Sequence, residues 1–333
     1  MAELRRDDQR AFGYVRFMGI VLGLQLWNQV YDWPEARHAA LRAEELGYDH
    51  LWSWEHLLAA DGDPDQDTFD PYILLTAWSQ ITARVKLGVL TGCNTFRSPG
   101  LLAKTVTTLD HVSNGRAILG LGAGWFEPEH TAFGIEFGIG PGDRLAWLEE
   151  SVAAIRSLLE GQTVTSPDEG HYALKDAQLL PLPIQERLPI MIGGGGEKKT
   201  LRTVARYADM WNFAGIADLD VLRRKDQVLQ RHCEEVGRDS AEIERTLYVA
   251  AVVRDTEKEA RLFFRTQVEA NRLDASSFEQ TDIHITTQDQ IIELMIAWKE
   301  LGFGTFILEV ASPFDDETAE RFATEIRRQV DSA

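Results

Sequence analysis

The chain has 333 residues, is 44% hydrophobic and carries a formal net charge of −19, so it can bury one large core or two modest ones. That charge repels nucleic acid and anionic membrane surfaces, and an anionic ligand must therefore find local positive ends. The two cysteines, Cys93 and Cys233, lie far apart in sequence, which argues against a disulfide framework and fits a reducing cytoplasm.

The segment Met1–Phe17 is charged and lacks the apolar stretch that export or membrane insertion needs. It reads as a flexible extension before a single domain spanning residues 18–333. From Met18 onward, short apolar strands alternate with amphipathic helices, the pattern of βα units. The strands are predicted at Gly19–Gln25, His50–Trp54, Val85–Leu90, Ala117–Leu121, Ile190–Ile192, Met210–Phe213, Leu247–Val253 and Thr305–Leu308. Helices are predicted at Pro34–Leu46, Pro71–Thr82, Pro99–Val112, Arg144–Leu159, Thr200–Tyr207 and Leu219–Val236. Eight strands point to a (β/α)8 TIM barrel, a fold that needs about 250 residues. The surplus includes an insertion, Gly161–Leu188, between the fourth helix and the fifth strand. It carries SPDEGHYAL and PLPIQERLP and is expected to overhang the pocket.

Two glycine loops stand out. The strand Ala117–Leu121 runs into Gly120, Gly122 and Gly124, where φ > 0 and close approach of backbone to a ligand are open to the chain. The strand before Gly193, Gly194, Gly195 and Gly196 leads into the helix Thr200–Tyr207, and glycines before a helix start make an anion site. Lys198 and Lys199 stand at that start, with Arg202 and Arg206 behind them, and one lysine could pair with a phosphate or simply be solvated.

Barrel enzymes place their chemistry at the C-terminal ends of the strands. There the sequence sets Trp27; Trp54 with Glu55 and His56; Thr91, Cys93 and Asn94; Trp125; and Trp211 with Asn212. Four tryptophans rimming one mouth, with two glycine loops, suit a flat conjugated ring bearing a phosphate tail, although each indole alone could be core packing. Trp27, Trp54, Trp125 and Asn94 are accordingly expected to line the substrate pocket. The histidines show no HExxH spacing and the cysteines are not close in sequence, so no metal site is expected. Cys93, without a catalytic partner in the sequence, reads as a small packing residue.

The segments LGVLTGCNTFRSPGLLAK (Leu87–Lys104), TLDHVSNGRAILGLGAGWFEPEHTAFGI (Thr108–Ile135), RLAWLEE (Arg144–Glu150) and PIMIGGGGEKKTLRTVARYADMWN (Pro189–Asn212) resemble the bacterial luciferase-like flavin and F420-dependent oxidoreductases. The TFRSPGLLAK and GAGWFEPEH stretches are most similar to the F420-dependent branch. The resemblance covers Met18–Val330. It implies hydride transfer between coenzyme F420 and a small organic substrate, or, alternatively, FMNH2-dependent monooxygenation with a separate flavin or F420 reductase as partner.

It also implies a bulge with a non-proline cis peptide within Gly88, Val89, Leu90 and Thr91 supporting the cofactor ring. Gly122, Ala123, Gly124 and Gly193–Gly196 would hold the ribityl chain and phosphate. His56, after Glu55, is the candidate proton donor or orienting group, where many relatives have Asp-His; a structural hydrogen bond is the competing role. Sugar-phosphate dehydrogenases of the superfamily carry a glutamate where this chain has Trp125, which points to a more apolar or aromatic substrate. Glu127 and Glu129 read as acids at the start of a helix Glu129–Phe133, favourable to its dipole, and His130 as structural. A homodimer through helices beside the second and third strands, with Pro71–Thr82 as a candidate surface, is implied as well. From another class, a non-catalytic flavin-binding barrel stays open, and a phosphate-binding aldolase or isomerase barrel is weaker because no lysine stands out at a strand end.

Overall fold

The computed structural model describes residues 19–213, 218–273 and 283–333. The expected extension Met1–Phe17 lies outside them. In chain order the first elements are β1 (Val21–Leu26), α1 (Trp33–Leu46), β2 (His50–Ser53), α2 (Pro71–Ser79), β3 (Lys86–Val89), β4 (Gly92–Cys93), α3 (Pro99–Val112), β5 (Ala117–Gly122), α4 (Glu127–Phe133) and α5 (Pro141–Leu159). They are followed by β6 (Ile190–Gly193), α6 (Thr200–Tyr207), β7 (Met210–Phe213), α7 (Leu219–Val236), β8 (Glu244–Arg254), α8 (Glu257–Ala270), β9 (His284–Thr287), α9 (Gln288–Glu300), β10 (Thr305–Val310), α10 (Asp316–Arg321) and α11 (Arg327–Ser332). Helix starts follow their capping residues. Asp32, Asp70 and Ser98 accept from the amides of Glu35, Ile73 and Leu101, and a proline opens each first turn.

Strands β1, β2, β3, β5, β6, β7, β8 and β10 pair in parallel in that order, and β10 closes on β1 with Thr305 opposite Val21. This is the expected (β/α)8 barrel. The strand β9 lies outside the ring and extends the C-terminal half of β8, with His284 opposite Ala251. That addition was not foreseen; β8 exceeds the predicted Leu247–Val253 by Arg254, which pairs with β9, and by Glu244, Arg245 and Thr246, which pair with β7.

Inside the barrel, Trp52, Ile118, Met191, Met210 and Ile307 form a packed layer. The Trp52 indole fits only because its neighbours are glycines. A Cβ on Gly88 would stand 2.3 Å from Trp52 Cζ3, and one on Gly23 would stand 2.9 Å from its Nε1. On the outside, α2 buries Leu74, Leu75 and Trp78 and leaves Ile73 exposed, so most of the apolar run considered for a dimer surface packs on the barrel wall.

The insertion at 161–188 is tied by an antiparallel bridge between Val164 and Ala177 and runs along the outer face of α3. There the Asp110 carboxylate accepts from the amides of Ile184 (2.8 Å) and Gln185 (3.2 Å). His171 stacks on Trp147 at 3.8 Å, and Tyr172 reaches the barrel rim by accepting from Asn94 Nδ2 (2.9 Å). The segment therefore buttresses the rim and contributes no lining to the cavity below it, contrary to the expected overhang.

Candidate active site

All eight barrel strands contribute at their C-terminal ends to one cavity of about 490 Å³. Gln25 comes from β1, Trp54, Glu55 and His56 follow β2, and Leu90 and Thr91 follow β3. Gly122, Ala123, Gly124 and Trp125 follow from β5, Gly193 and Gly194 from β6, Asn212 from β7, Tyr248 from β8 and Glu309 from β10. A cavity at this end of a barrel is the expected place for catalysis.

The wall from β3 to β6 is built by glycine. The peptide between Leu90 and Thr91 is cis, within the segment where the sequence resemblance placed one. The Leu90 carbonyl is held by Gln25 Nε2 at 2.6 Å. A Cβ on Gly122 would lie 2.6 Å from Thr91 Oγ1 and one on Gly193 would lie 2.6 Å from Thr91 Cγ2. These two glycines thus clear the space for Thr91, which enters the cavity between them. Only Gly124 of the first loop has a positive φ, 81°. Gly120 and Gly122 are strand residues whose smallness serves close packing, so the expected left-handed freedom is confined to Gly124.

His56 is 9% exposed. Its Nδ1 lies 3.2 Å from both carboxylate oxygens of Glu129, and the Glu129 Oε2 also accepts from the Leu57 amide at 2.8 Å. Trp54 and Trp125 meet the imidazole edge-on at 5.1 and 5.5 Å. A carboxylate on Nδ1 sets the tautomer, since it accepts from Nδ1–H and keeps the proton there. Nε2 has no hydrogen-bond partner among the described residues, and His56 lines the cavity. The expectation for Glu129 is therefore corrected. It starts a helix, as does the exposed Glu127, but it is 1% exposed and bonded to His56. Its position in the first turn of α4 concealed this, because first-turn acids usually serve the helix dipole.

Glu55 is fully engaged elsewhere. One carboxylate oxygen accepts from the Cys93 amide at 2.7 Å, and the other pairs with Arg97, which also lies 3.1 Å from Asp70. Burial raises the Glu55 pKa, and Arg97 opposes the shift. Glu55 borders the cavity yet has both oxygens committed, which is the geometry of a loop clamp. Burial also pushes the Cys93 thiol up to about 12. His130, fully buried, bonds Thr95 and the Phe126 carbonyl.

Several expected site residues lie outside the cavity. Gly88 is below it, against Trp52, and Val89 is in the wall. Gly195 packs on Phe213 and Gly196 on Thr200. Asn94 is fully buried at the rim with Tyr172. Trp27 lies behind Trp54, stacked at 4.6 Å, and Trp211 is in the core with its Nε1 donating to the Gly194 carbonyl at 2.9 Å. Two of the four tryptophans, Trp54 and the 64% exposed Trp125, line the mouth. Lys199 donates to the Gly142 carbonyl at 2.9 Å, while Lys198 is exposed beside the glycine run.

The sequence reading missed Gln25, Tyr248 and Glu309. Glu309 follows the last residue of the predicted strand, and strand alternation in β10 turns it inward with Ile307. Its carboxylate accepts from Trp27 Nε1. Removal from water pushes the Glu309 carboxyl up to about 8, the Trp27 bond opposing this and the charge of Asp61 adding to it.

The profile of the luciferase-like monooxygenases matches residues 18–284. The chain is 33% identical over 172 residues to an F420-dependent glucose-6-phosphate dehydrogenase of Amycolatopsis mediterranei, covering 51% of this chain and 48% of that protein. It is 29% identical over 185 residues to a pyrimidine monooxygenase of Variovorax paradoxus, covering 53% and 47%. The chain thus spans about half the length of these curated relatives. Its fold is shared with an F420-dependent secondary alcohol dehydrogenase solved with an F420–acetone adduct, at TM-score 0.77 and 21% identity over 94% of this chain and 99% of that one. With a match over most of its length and a parallel barrel open at the strand ends, the chain belongs to the luciferase-like monooxygenase family.

Proposed function

We propose that the protein is an oxidoreductase transferring a hydride between coenzyme F420 and a small organic substrate, with His56 as its proton-handling residue. The observation that carries this reading is the single cavity in which a glycine-cleared wall, with Thr91 at its centre, stands beside a histidine held by a carboxylate. The residues fit a flat tricyclic cofactor. Leu90 and Thr91 would support the ring, Gly122–Gly124 the chain that leaves it, and Gly193 and Gly194, ahead of α6, its phosphate. When bound, the deazaflavin supplies the hydride acceptor or donor.

The chain's own groups do the rest. Trp54 and Trp125 screen the imidazole from water, and Glu129 keeps Nε2 available to give a proton to, or take one from, a substrate oxygen or nitrogen. The exposed Lys198 beside the glycine run suits an acidic tail leaving the pocket, which favours F420. Similarity to a pyrimidine monooxygenase supports a second reading, FMNH2-dependent oxygenation fed by a separate reductase. The open cavity argues against a non-catalytic flavin carrier.

Equilibrium binding to F420 and FMN, oxidised and reduced, tests the choice. Tight and selective F420 binding is the expected result. Selective FMNH2 binding with substrate-dependent oxygen uptake would transfer the assignment to a monooxygenase, and binding of neither would overturn both. The two cysteines are free and buried, in keeping with a reducing compartment such as the cytoplasm. We further propose a homodimer through the exposed Ile73 of α2 and Leu101 of α3. Sedimentation should then give twice the monomer mass at micromolar concentration, and a monomer there would refute it.

A further inference from the structure

The wall of the cavity opposite the glycines has a different chemistry. In the ring of eight strands, β10 stands four places from β5, so Glu309 faces Gly122 across the barrel mouth. Its neighbour in register on β1 is Gln25, and both side chains line the cavity. Gln25 is 1% exposed, and its Nε2 donates to the Leu90 carbonyl, which identifies Oε1 as the remaining amide atom. That Oε1 is buried with no hydrogen-bond partner. A buried acceptor left unpaired is costly, so such an atom at a cavity wall calls for a donor from a ligand.

Glu309 makes the same demand. Trp27 Nε1 is its one hydrogen-bond donor among the described residues, and no lysine or arginine lines the cavity. Buried carboxylates are ordinarily paired. The groups facing Glu309 are Trp27 and Tyr31 after β1 and Asp61 in the loop after β2, none of them cationic. Aromatic faces complete the setting: Trp54 lies over Trp27, and Tyr248 lines the wall from β8. Two adjacent acceptors, further acids and indole faces together form a receptor for a cation bearing N–H groups.

We propose that Gln25 and Glu309 dock the protonated amine nitrogen of the substrate, making the protein an enzyme for organic amines that discriminates against carboxylates and phosphates. This names a substrate class for the oxidoreductase reading and rests on it. Gln25 Oε1 accepts one ammonium N–H, the Glu309 carboxyl, ionised as the cation arrives, accepts a second and supplies the countercharge, and the rest of the molecule lies along Trp54 toward His56. The overall charge of −19 further concentrates cations near the mouth.

Calorimetric titration with benzylamine, benzyl alcohol and benzoate, three probes of similar size and different charge, tests this on the protein alone and loaded with the cofactor it binds. Benzylamine should bind about 10- to 100-fold more tightly than benzoate, the span of a charge-assisted hydrogen bond. Glu309→Gln, which keeps an oxygen for Trp27 Nε1, should remove most of that preference while leaving benzyl alcohol unchanged. Gln25→Met should weaken benzylamine by a smaller factor and provides a second test if Glu309→Gln does not fold. Benzoate binding as tightly as benzylamine, no benzylamine binding, or a preference unchanged in the variants would overturn the proposal. Failure to bind F420 or FMN would instead sink the hydride-transfer reading and leave the amine preference measurable.

Discussion

His56→Ala should lower turnover by about 10²- to 10⁴-fold, the range of a positioned general acid or base, while cofactor affinity changes little. The asymmetry follows from where the imidazole stands. Its Nδ1 side is spent on Glu129 and its ring is flanked by Trp54 and Trp125, so the Nε2 edge is the part left for a reacting molecule. Glu129→Gln should reproduce part of the defect, because an amide holds the ring but no longer stabilises the imidazolium, and turnover should fall less than in His56→Ala. Steady-state kinetics with cofactor binding measured in parallel separates the outcomes. Equal losses in turnover and cofactor affinity would make His56 a binding residue, and a Glu129→Gln enzyme of full activity would remove the dyad from the mechanism.

Glu55→Ala should destabilise the fold by about 3–5 kcal/mol, the usual result of removing one partner from a buried ion pair. Arg97 would lose its buried countercharge and the Cys93 amide its acceptor, loosening the segment that carries Leu90–Thr91 to the cavity. Arg97→Ala should cost a similar amount, and the double variant less than the sum of the two, since each single change leaves a charge behind. Thermal or urea unfolding gives these values directly. A Glu55→Ala protein that unfolds like the parent but has lost turnover would restore Glu55 as a reacting group.

The barrel was legible because its signals are local. Prolines behind Asp or Ser mark helix starts, and short apolar runs between them have strand length. Both ends of α3, which opens on Pro99 behind Ser98, fall where predicted, as do those of α6 and α7, whose starts carry no proline. The mouth was legible only in part. The strand-end position of Trp54 and Trp125 follows from chain order, but which indole points inward depends on the pleat, so Trp27 and Trp211 were placed too near the cavity. Glycine is ambiguous for the same reason. The sequence does not distinguish a glycine that yields room to a ligand from one that yields room to a neighbour, and Gly88, Gly122 and Gly193 each make way for a side chain of the protein itself. Gln25 and Glu309 are far apart in the chain and meet only when β10 closes on β1. No periodicity announces a pair of that kind.

The indole beneath the cavity has a bearing on how this protein can diversify. Because Trp52 occupies the space that side chains at positions 23 and 88 would need, those three sites are bound to vary together: a larger residue at either glycine requires a smaller one at 52. The depth of the bowl is thereby locked by a coordinated triplet, whereas its width is set by independent residues on separate loops. New ligands are more readily accommodated by widening the rim than by excavating the floor.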